Sequence, residues 1–106
     1  VHTSTHATTS ANATLTSSVE TITKRDCEVG FFIKATNSQT PQNPKIEVSP
    51  NNTDFVELSA GGGFNFQASG SDILGATSVK IPYPYVRVVL TNDSGGSSDI
   101  TILITH

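Results

Sequence analysis

The sequence predicts an all-β protein, a single two-layer antiparallel β-sandwich with an extended N-terminal arm. Apolar residues alternate with polar ones in several short segments, which is the two-residue period of strands that bury one face. Clusters of Gly, Pro, Asn and Asp separate these segments and indicate turns. The 106 residues suffice for one core, and two packed layers are the arrangement that covers such strands. Jelly-roll and immunoglobulin-like connections both fit this pattern.

The composition excludes several classes of partner. Charged residues make up 14% of the chain, against roughly 25% in an ordinary soluble domain, and the net charge is −3 without a run of either sign. Such a chain lacks the basic patch that nucleic acid binding needs. No apolar run approaches the ~20 residues that cross a bilayer, so we expect no membrane contact. The single cysteine, Cys27, excludes an internal disulfide, and we interpret it as an unpaired thiol at a strand start.

The first residues form the predicted arm. Residues 1–18 are almost all Thr, Ser, Ala and His, and Leu15 is the only large apolar residue in their interior. Because such a segment buries little apolar surface, we expect it to be mobile alone or pinned by a neighbour. The sandwich domain then covers residues 19–106. We interpret His2 and His6 as solvated side chains, since no third metal ligand lies nearby in the sequence.

The strands follow in order along the first part of the domain. Residues 19–24 form a weak strand, and residues 28–36 form a stronger one whose alternate residues from Val29 to Ala35 share a face. Residues 37–44 (NSQTPQNP) are a loop because prolines and amide side chains interrupt a strand ladder. Residues 45–59 predict a hairpin that turns at PNNTD.

Shorter elements follow. Gly61–Gly63 predicts a turn, because the Lys and Ser or Thr of a phosphate-binding loop do not follow it. Phe64 and Phe66 lie on one face of a short strand. Residues 68–75 read as a polar connection, and residues 78–81 as another short strand.

The final hairpin is the centre of the predicted fold. Residues 86–90 and 100–104 alternate and are rich in β-branched side chains, and Asn92–Asp99 has the composition of a long tip. Because Val89 and Leu103 are apolar on the second face, we expect this hairpin to lie centrally in a sheet, covered on one side and partly on the other. The predicted core consists of Val29, Phe31, Ile33, Ile46, Val48, Val56, Leu58, Phe64, Phe66, Val86, Val88, Leu90, Ile100, Ile102 and Ile104.

No combination of residues predicts an enzyme or a cofactor. The three histidines lie near the two ends of the chain, and the carboxylates fall at turns or on solvent faces, so neither a triad nor an acid-base pair is expected. The 92–99 segment has the oxygen ligands of a calcium site, but the same residues are typical of a hairpin tip, which we favour.

Three residues of the last strands are candidates for contacts with a partner. Tyr83 and Tyr85 are flanked by prolines and could either stack on a sugar or a partner, or cap the core. Arg87 could pair with Asp99 or Glu57, bind loop carbonyls, or lie free on the surface.

Three segments carry a resemblance to a known family. They are KIEVSPNNTDFVEL at residues 45–58, PYVRVVLTN at residues 84–92 and DITILI at residues 99–104. In this order they resemble small β-sandwich proteins of tailed bacteriophage virions. The resemblance implies a head decoration (cement) protein or another minor capsid protein on the capsid surface, often a trimer around a local three-fold axis. It implies terminal arms that reach neighbouring subunits.

Two function hypotheses follow. The first is a structural virion protein without enzymatic activity that binds the major capsid protein or other virion proteins. The alternative is a carbohydrate-binding module for adhesion or host recognition, which would use Tyr83, Tyr85 and the 92–99 tip. The residues predicted to contact a partner are Thr3, Thr5, Leu15, Tyr83, Tyr85 and Arg87.

Overall fold

Ten strands make up the computed structural model, which describes residues 2–24, 26–36, 40–59, 64–93 and 95–106. The strands are β1 (His2–Thr9), β2 (Thr14–Thr16), β3 (Glu20–Thr21), β4 (Cys27–Ala35), β5 (Gln42–Ser49), β6 (Val56–Ser59), β7 (Asn65–Ser69), β8 (Asp72–Ile81), β9 (Tyr85–Thr91) and β10 (Ser98–Thr105).

The strands form two antiparallel sheets. Sheet A has the order β1-β10-β4-β8-β7, and sheet B has the order β2-β9-β5-β6, with β3 also paired to β9. The inner faces of the two sheets enclose one apolar cluster. The prediction of an all-β, two-layer antiparallel sandwich is therefore confirmed.

The core is built from the alternate residues of the long strands. Most of the predicted core is buried, but Val56 is 63% exposed in the edge strand β6. Leu58, Phe64 and Phe66 are only partly buried and pack against the cluster. The buried apolar side chains are Ile22, Val29, Phe31, Ile33, Ala35, Ile46, Val48, Ile73, Ile81, Val86, Val88, Leu90, Ile100, Ile102 and Ile104.

The prediction of a final hairpin is wrong. Strand β9 pairs with β2, β3 and β5 in sheet B, whereas β10 pairs with β1 and β4 in sheet A. The segment after β9 thus crosses from one sheet to the other. The buried Asn92 supports this crossing: its amide nitrogen donates to the carbonyl oxygens of Thr9 at 2.8 Å, Ser10 at 3.1 Å and Gly96 at 3.0 Å. The segment is therefore a connection between sheets and not a hairpin tip.

Two strands of residues 1–18, β1 and β2, belong to the two sheets, which differs from the expected arm. Strand β1 pairs with β10 from His2 to Thr9 without a break in register, and β2 pairs with β9. The free edge of β10 supplies backbone partners, so β1 needs no apolar face of its own to become a strand. The inward hydroxyl of Thr5 also accepts a hydrogen bond from the Ser18 amide at 2.9 Å.

Two predicted connections are strands in the structure. The sequence predicts a polar connection over residues 68–75, but β7 and β8 pair through most of it and turn at Gly70, whose φ of 64° suits glycine. The predicted loop 37–44 ends earlier, because β5 begins at Gln42. Its residues 37–39 lie outside the described residues, as do the glycines 61–63. The expected strand 28–36 and the hairpin over residues 45–59 are confirmed as β4 and as the β5–β6 pair.

Replacing Asn92 with alanine tests the crossing. The variant leaves buried carbonyl oxygens without their donor, and we expect a loss of about 2 to 3 kcal/mol in the free energy of unfolding. Asn92→Asp should cost at least as much, because a carboxylate cannot donate to carbonyls. Urea unfolding is the measurement, with Asn65→Ala on the exposed strand β7 as the control. Equal midpoints for Asn92→Ala and the control would contradict this role.

Candidate interaction surfaces

The ionisable side chains are mostly engaged in local contacts. Among the described residues, no three His, Cys, Asp or Glu side chains lie close enough together to hold a metal ion. In the 92–99 segment, Asp99 accepts a hydrogen bond from the Thr8 hydroxyl at 2.6 Å, and Asp93 accepts one from the Gly95 amide at 3.0 Å. None of the residues that the structure describes belongs to a helix long and apolar enough to cross a membrane.

A polar cluster joins the two sheets beside β1. The Glu20 side chain is 6% exposed and points inward from β3, where Oε2 lies 2.6 Å from His106 Nε2. The other oxygen, Oε1, accepts a hydrogen bond from the Thr3 hydroxyl. A buried carboxylate needs such partners, because desolvation without them is costly. The pattern that places Glu20 on the same face as Ile22 is the sequence signal that could have found this cluster.

The predicted contact residues of the first strands lie on inner faces. The Thr3 hydroxyl donates to the Glu20 carboxylate, and the Thr5 hydroxyl accepts from the Ser18 amide. Leu15 packs against the core. Tyr85 and Arg87 instead lie on the outer face of sheet B, because the alternate residues Val86 and Val88 point into the core. Tyr83 is 39% exposed just before β9 begins.

Arg87 lies on the outer face of sheet B between two neighbours. Its Nε donates to Glu47 Oε1 at 2.8 Å, and its Cζ lies 3.9 Å from the centroid of the Phe55 ring. The arrangement combines a charge-assisted hydrogen bond with a cation–π contact. The partner is Glu47, which is paired in register with Arg87, and not Asp99 or Glu57 as considered from the sequence. Tyr85 is half-buried in the same strand.

A groove of about 440 Å³ lies next to Arg87 and Glu47 on the same face of sheet B. A β-bulge between Gln42 and Lys45 helps to form it, because the bulge interrupts the register of β5 with β9. Asn43 in the bulge has a left-handed φ of 50°. Hydroxyl, amide and oppositely charged side chains surround an apolar valine in the groove, which is lined by Thr14, Asn43, Lys45, Glu57, Val89, Leu90 and Thr91.

The outer face of sheet A carries an apolar row. Leu103, Phe32 and Ala76 are in register across β10, β4 and β8, and the polar Asn65 of β7 ends the row. Phe32 is 38% exposed near the middle of the sheet. A second groove of about 350 Å³ lies between Phe32 and β7. The sequence indicated that Phe32 and Leu103 fall on the second face of their strands, but not that they are neighbours.

Strand β1 leaves one side of its backbone unpaired by any described strand. It is the outermost strand of sheet A, and its register with β10 has no bulge. Its sequence, HTSTHATT, contains none of the Lys or Pro residues that commonly protect an edge. It can therefore accept a further strand.

The comparisons with known proteins add no relative. No protein-family model matches the chain, and a search of curated proteins finds no match.

A double-mutant cycle tests the contact of Arg87 with Glu47. Both side chains are less than a third exposed, at 29% and 20%, so solvent screens the pair only partly. We expect Arg87→Ala and Glu47→Ala to be coupled by about 1 kcal/mol in the free energy of unfolding. The control is the pair of Lys34 and Asp72, which is more exposed and has a longer distance of 3.7 Å between Lys34 Nζ and Asp72 Oδ2. A coupling no larger than that of the control would contradict a specific role for Arg87.

Proposed function

We propose that the chain is a structural virion protein, without enzymatic activity, that decorates or cements a phage capsid through protein–protein contacts. The observation that carries the proposal is the long unprotected edge of β1, which extends over eight residues. The resemblance of residues 45–58, 84–92 and 99–104 to phage virion proteins supplies the kind of assembly. The partners would be the major capsid protein or other virion proteins, at the capsid surface.

An unprotected edge suits a protein that works in an assembly. A free strand edge presents unpaired N–H and C=O groups, and proteins usually blunt such edges to avoid unwanted pairing. A partner that adds an extended segment satisfies these groups and gains affinity from the backbone. Side chains of β1 such as Ser4 and Ala7 are uncharged, so an added strand would not have to desolvate a charge beside them. We therefore place the main contact with the capsid at this edge.

Deleting residues 1–18 would not test this proposal cleanly. The deletion removes β1 and β2 together, and it exposes the edges of β10 and β9. A loss of binding would then reflect damage to both sheets. A single substitution on the outer side of β1 is more informative.

Ser4→Lys should weaken binding to the capsid at least tenfold. The lysine places a charge beside the incoming strand, where pairing would desolvate it. The probe is an empty shell of the major capsid protein that the same genome encodes, and the measurement is co-sedimentation over a range of concentrations. Thr16→Lys is the control, because it adds the same charge to an exposed position of β2 in sheet B.

Three results would contradict the proposal. The first is that the Ser4→Lys protein saturates the shells as the unmodified chain does. The second is that the unmodified chain does not bind the shells at all, and the third is that the genome which encodes it contains no capsid protein.

The groove of sheet B supports a second candidate function, a carbohydrate-binding module. Its volume of about 440 Å³ lies within the usual range for small-molecule sites. Its hydroxyl, amide and charged side chains could exchange hydrogen bonds with sugar hydroxyls, while Val89 provides an apolar contact. Tyr83 and Tyr85 do not line this groove, so it is a different site from the tyrosine pair considered from the sequence.

A glycan array separates the two possible sugar sites. If the groove binds sugar, Lys45→Ala should reduce the array signal at least tenfold, because it removes a donor from the lining, and Tyr85→Ala should leave the signal unchanged. The reverse result would place the site at the tyrosines. An array without signal for the unmodified chain would contradict carbohydrate binding.

A further inference from the structure

Phe32 and the groove beside it form a projection and a recess on one face. Phe32 projects from β4, and its neighbour in register on β8 is the small residue Ala76. The groove of about 350 Å³ continues from Ala76 towards Asn65 and Gln67 on β7. A large side chain therefore lies next to a space that could receive another large side chain.

The charged residues on the outer face of β4 and β8 follow opposite orders along the two strands. Glu28 of β4 is in register with Lys80 of β8 on one side of Phe32 and Ala76. On the other side, Lys34 Nζ of β4 lies 3.7 Å from Asp72 Oδ2 of β8. Along β4 the order is acidic, apolar, basic, and along β8 the matching order is basic, apolar, acidic. A partner that complements this face must carry the same pattern with β4 and β8 exchanged.

We infer that the outer face of sheet A is a docking surface for a second copy of this chain, related by a two-fold axis parallel to the strands and midway between β4 and β8. This rotation places β4 of one copy over β8 of the other. Phe32 then lies over the partner's Ala76 and enters the partner's groove, and the reverse contact forms at the same time. Each Glu28 faces the partner's Lys80, so the charges attract.

The contact is independent of the edge used in the proposed function. The rotation covers β10, β4, β8 and β7, and it leaves the free side of β1 open. Four strands about 4.8 Å apart, each with roughly eight residues at about 3.3 Å, give an area on the order of 500 Å² per partner. This is less than the roughly 800 Å² per partner of a standard stable interface. The dimer should therefore form and dissociate with concentration.

Sedimentation equilibrium of the purified chain, from micromolar to millimolar concentration, tests the inference. We expect a transition from the 11.1 kDa monomer to a species of twice that mass. Phe32→Glu should raise the dissociation constant at least tenfold, because it removes the projecting ring and brings two carboxylates near the axis. Val56→Glu is the matched control, since Val56 is 63% exposed in sheet B, and it should leave the constant unchanged.

A charge exchange provides a second test that does not depend on Phe32. Glu28→Lys should weaken the dimer because it places a lysine opposite the partner's Lys80. Adding Lys80→Glu to that variant should restore the dimer, since the exchanged charges again attract across the axis. Urea unfolding at low concentration checks that each variant remains folded.

Three outcomes would overturn the two-fold contact. They are a monomer at every concentration, a trimer in place of the dimer, and a dimer whose dissociation constant is unaffected by Phe32→Glu. A trimer would leave the proposed capsid function in place. Conversely, unchanged shell binding by Ser4→Lys would contradict that function without affecting the dimer.

Discussion

The fold depends on the burial of the apolar inner faces of β9 and β10, two strands that follow each other in the chain. The inward residues of β9, from Val86 to Leu90, and those of β10, from Ile100 to Ile104, are at most 1% exposed. Each such side chain contributes about 1.5 to 3 kcal/mol when it is fully buried. Because β9 and β10 lie in opposite sheets, the space between them is the core. The other strands extend the two sheets from these two.

The alternation of residues predicted which side chains are buried but not which strands are neighbours. A two-residue period indicates that one face of a strand is buried. The same pattern arises whether the next strand in the chain pairs with it as a hairpin or lies in the opposite sheet. The choice between them depends on contacts far apart in sequence. Asn92 is an example. Asparagine is typical of turns, yet the side-chain amide of Asn92 donates to the carbonyl oxygens of Thr9 and Ser10 near the other end of the chain.

The candidate surfaces were predictable to different degrees. Phe32 and Leu103 were visible from the sequence as apolar residues on a second face. The pairing of Arg87 with Glu47 was not visible, because it depends on the register of β5 with β9. The groove of sheet B depends on a bulge near Asn43, and a bulge has no pattern in a single sequence that separates it from a loop. The role of β1 was missed because hydrogen bonds, and not apolar side chains, hold it in the sheet.

The side chains of β1 contribute little to the core. Its inward side chains, from Thr3 to Thr9, are small or polar, and the Thr9 hydroxyl is buried without a hydrogen-bond partner among the described residues. Local opening of β1 therefore exposes little apolar surface, so its amide hydrogens should exchange with solvent faster than those of β4. Once β1 detaches, the isoleucine-rich β10 becomes the edge of the sheet. Strand β1 thus shields the edge of β10, and its detachment would leave that edge open to pairing with another strand.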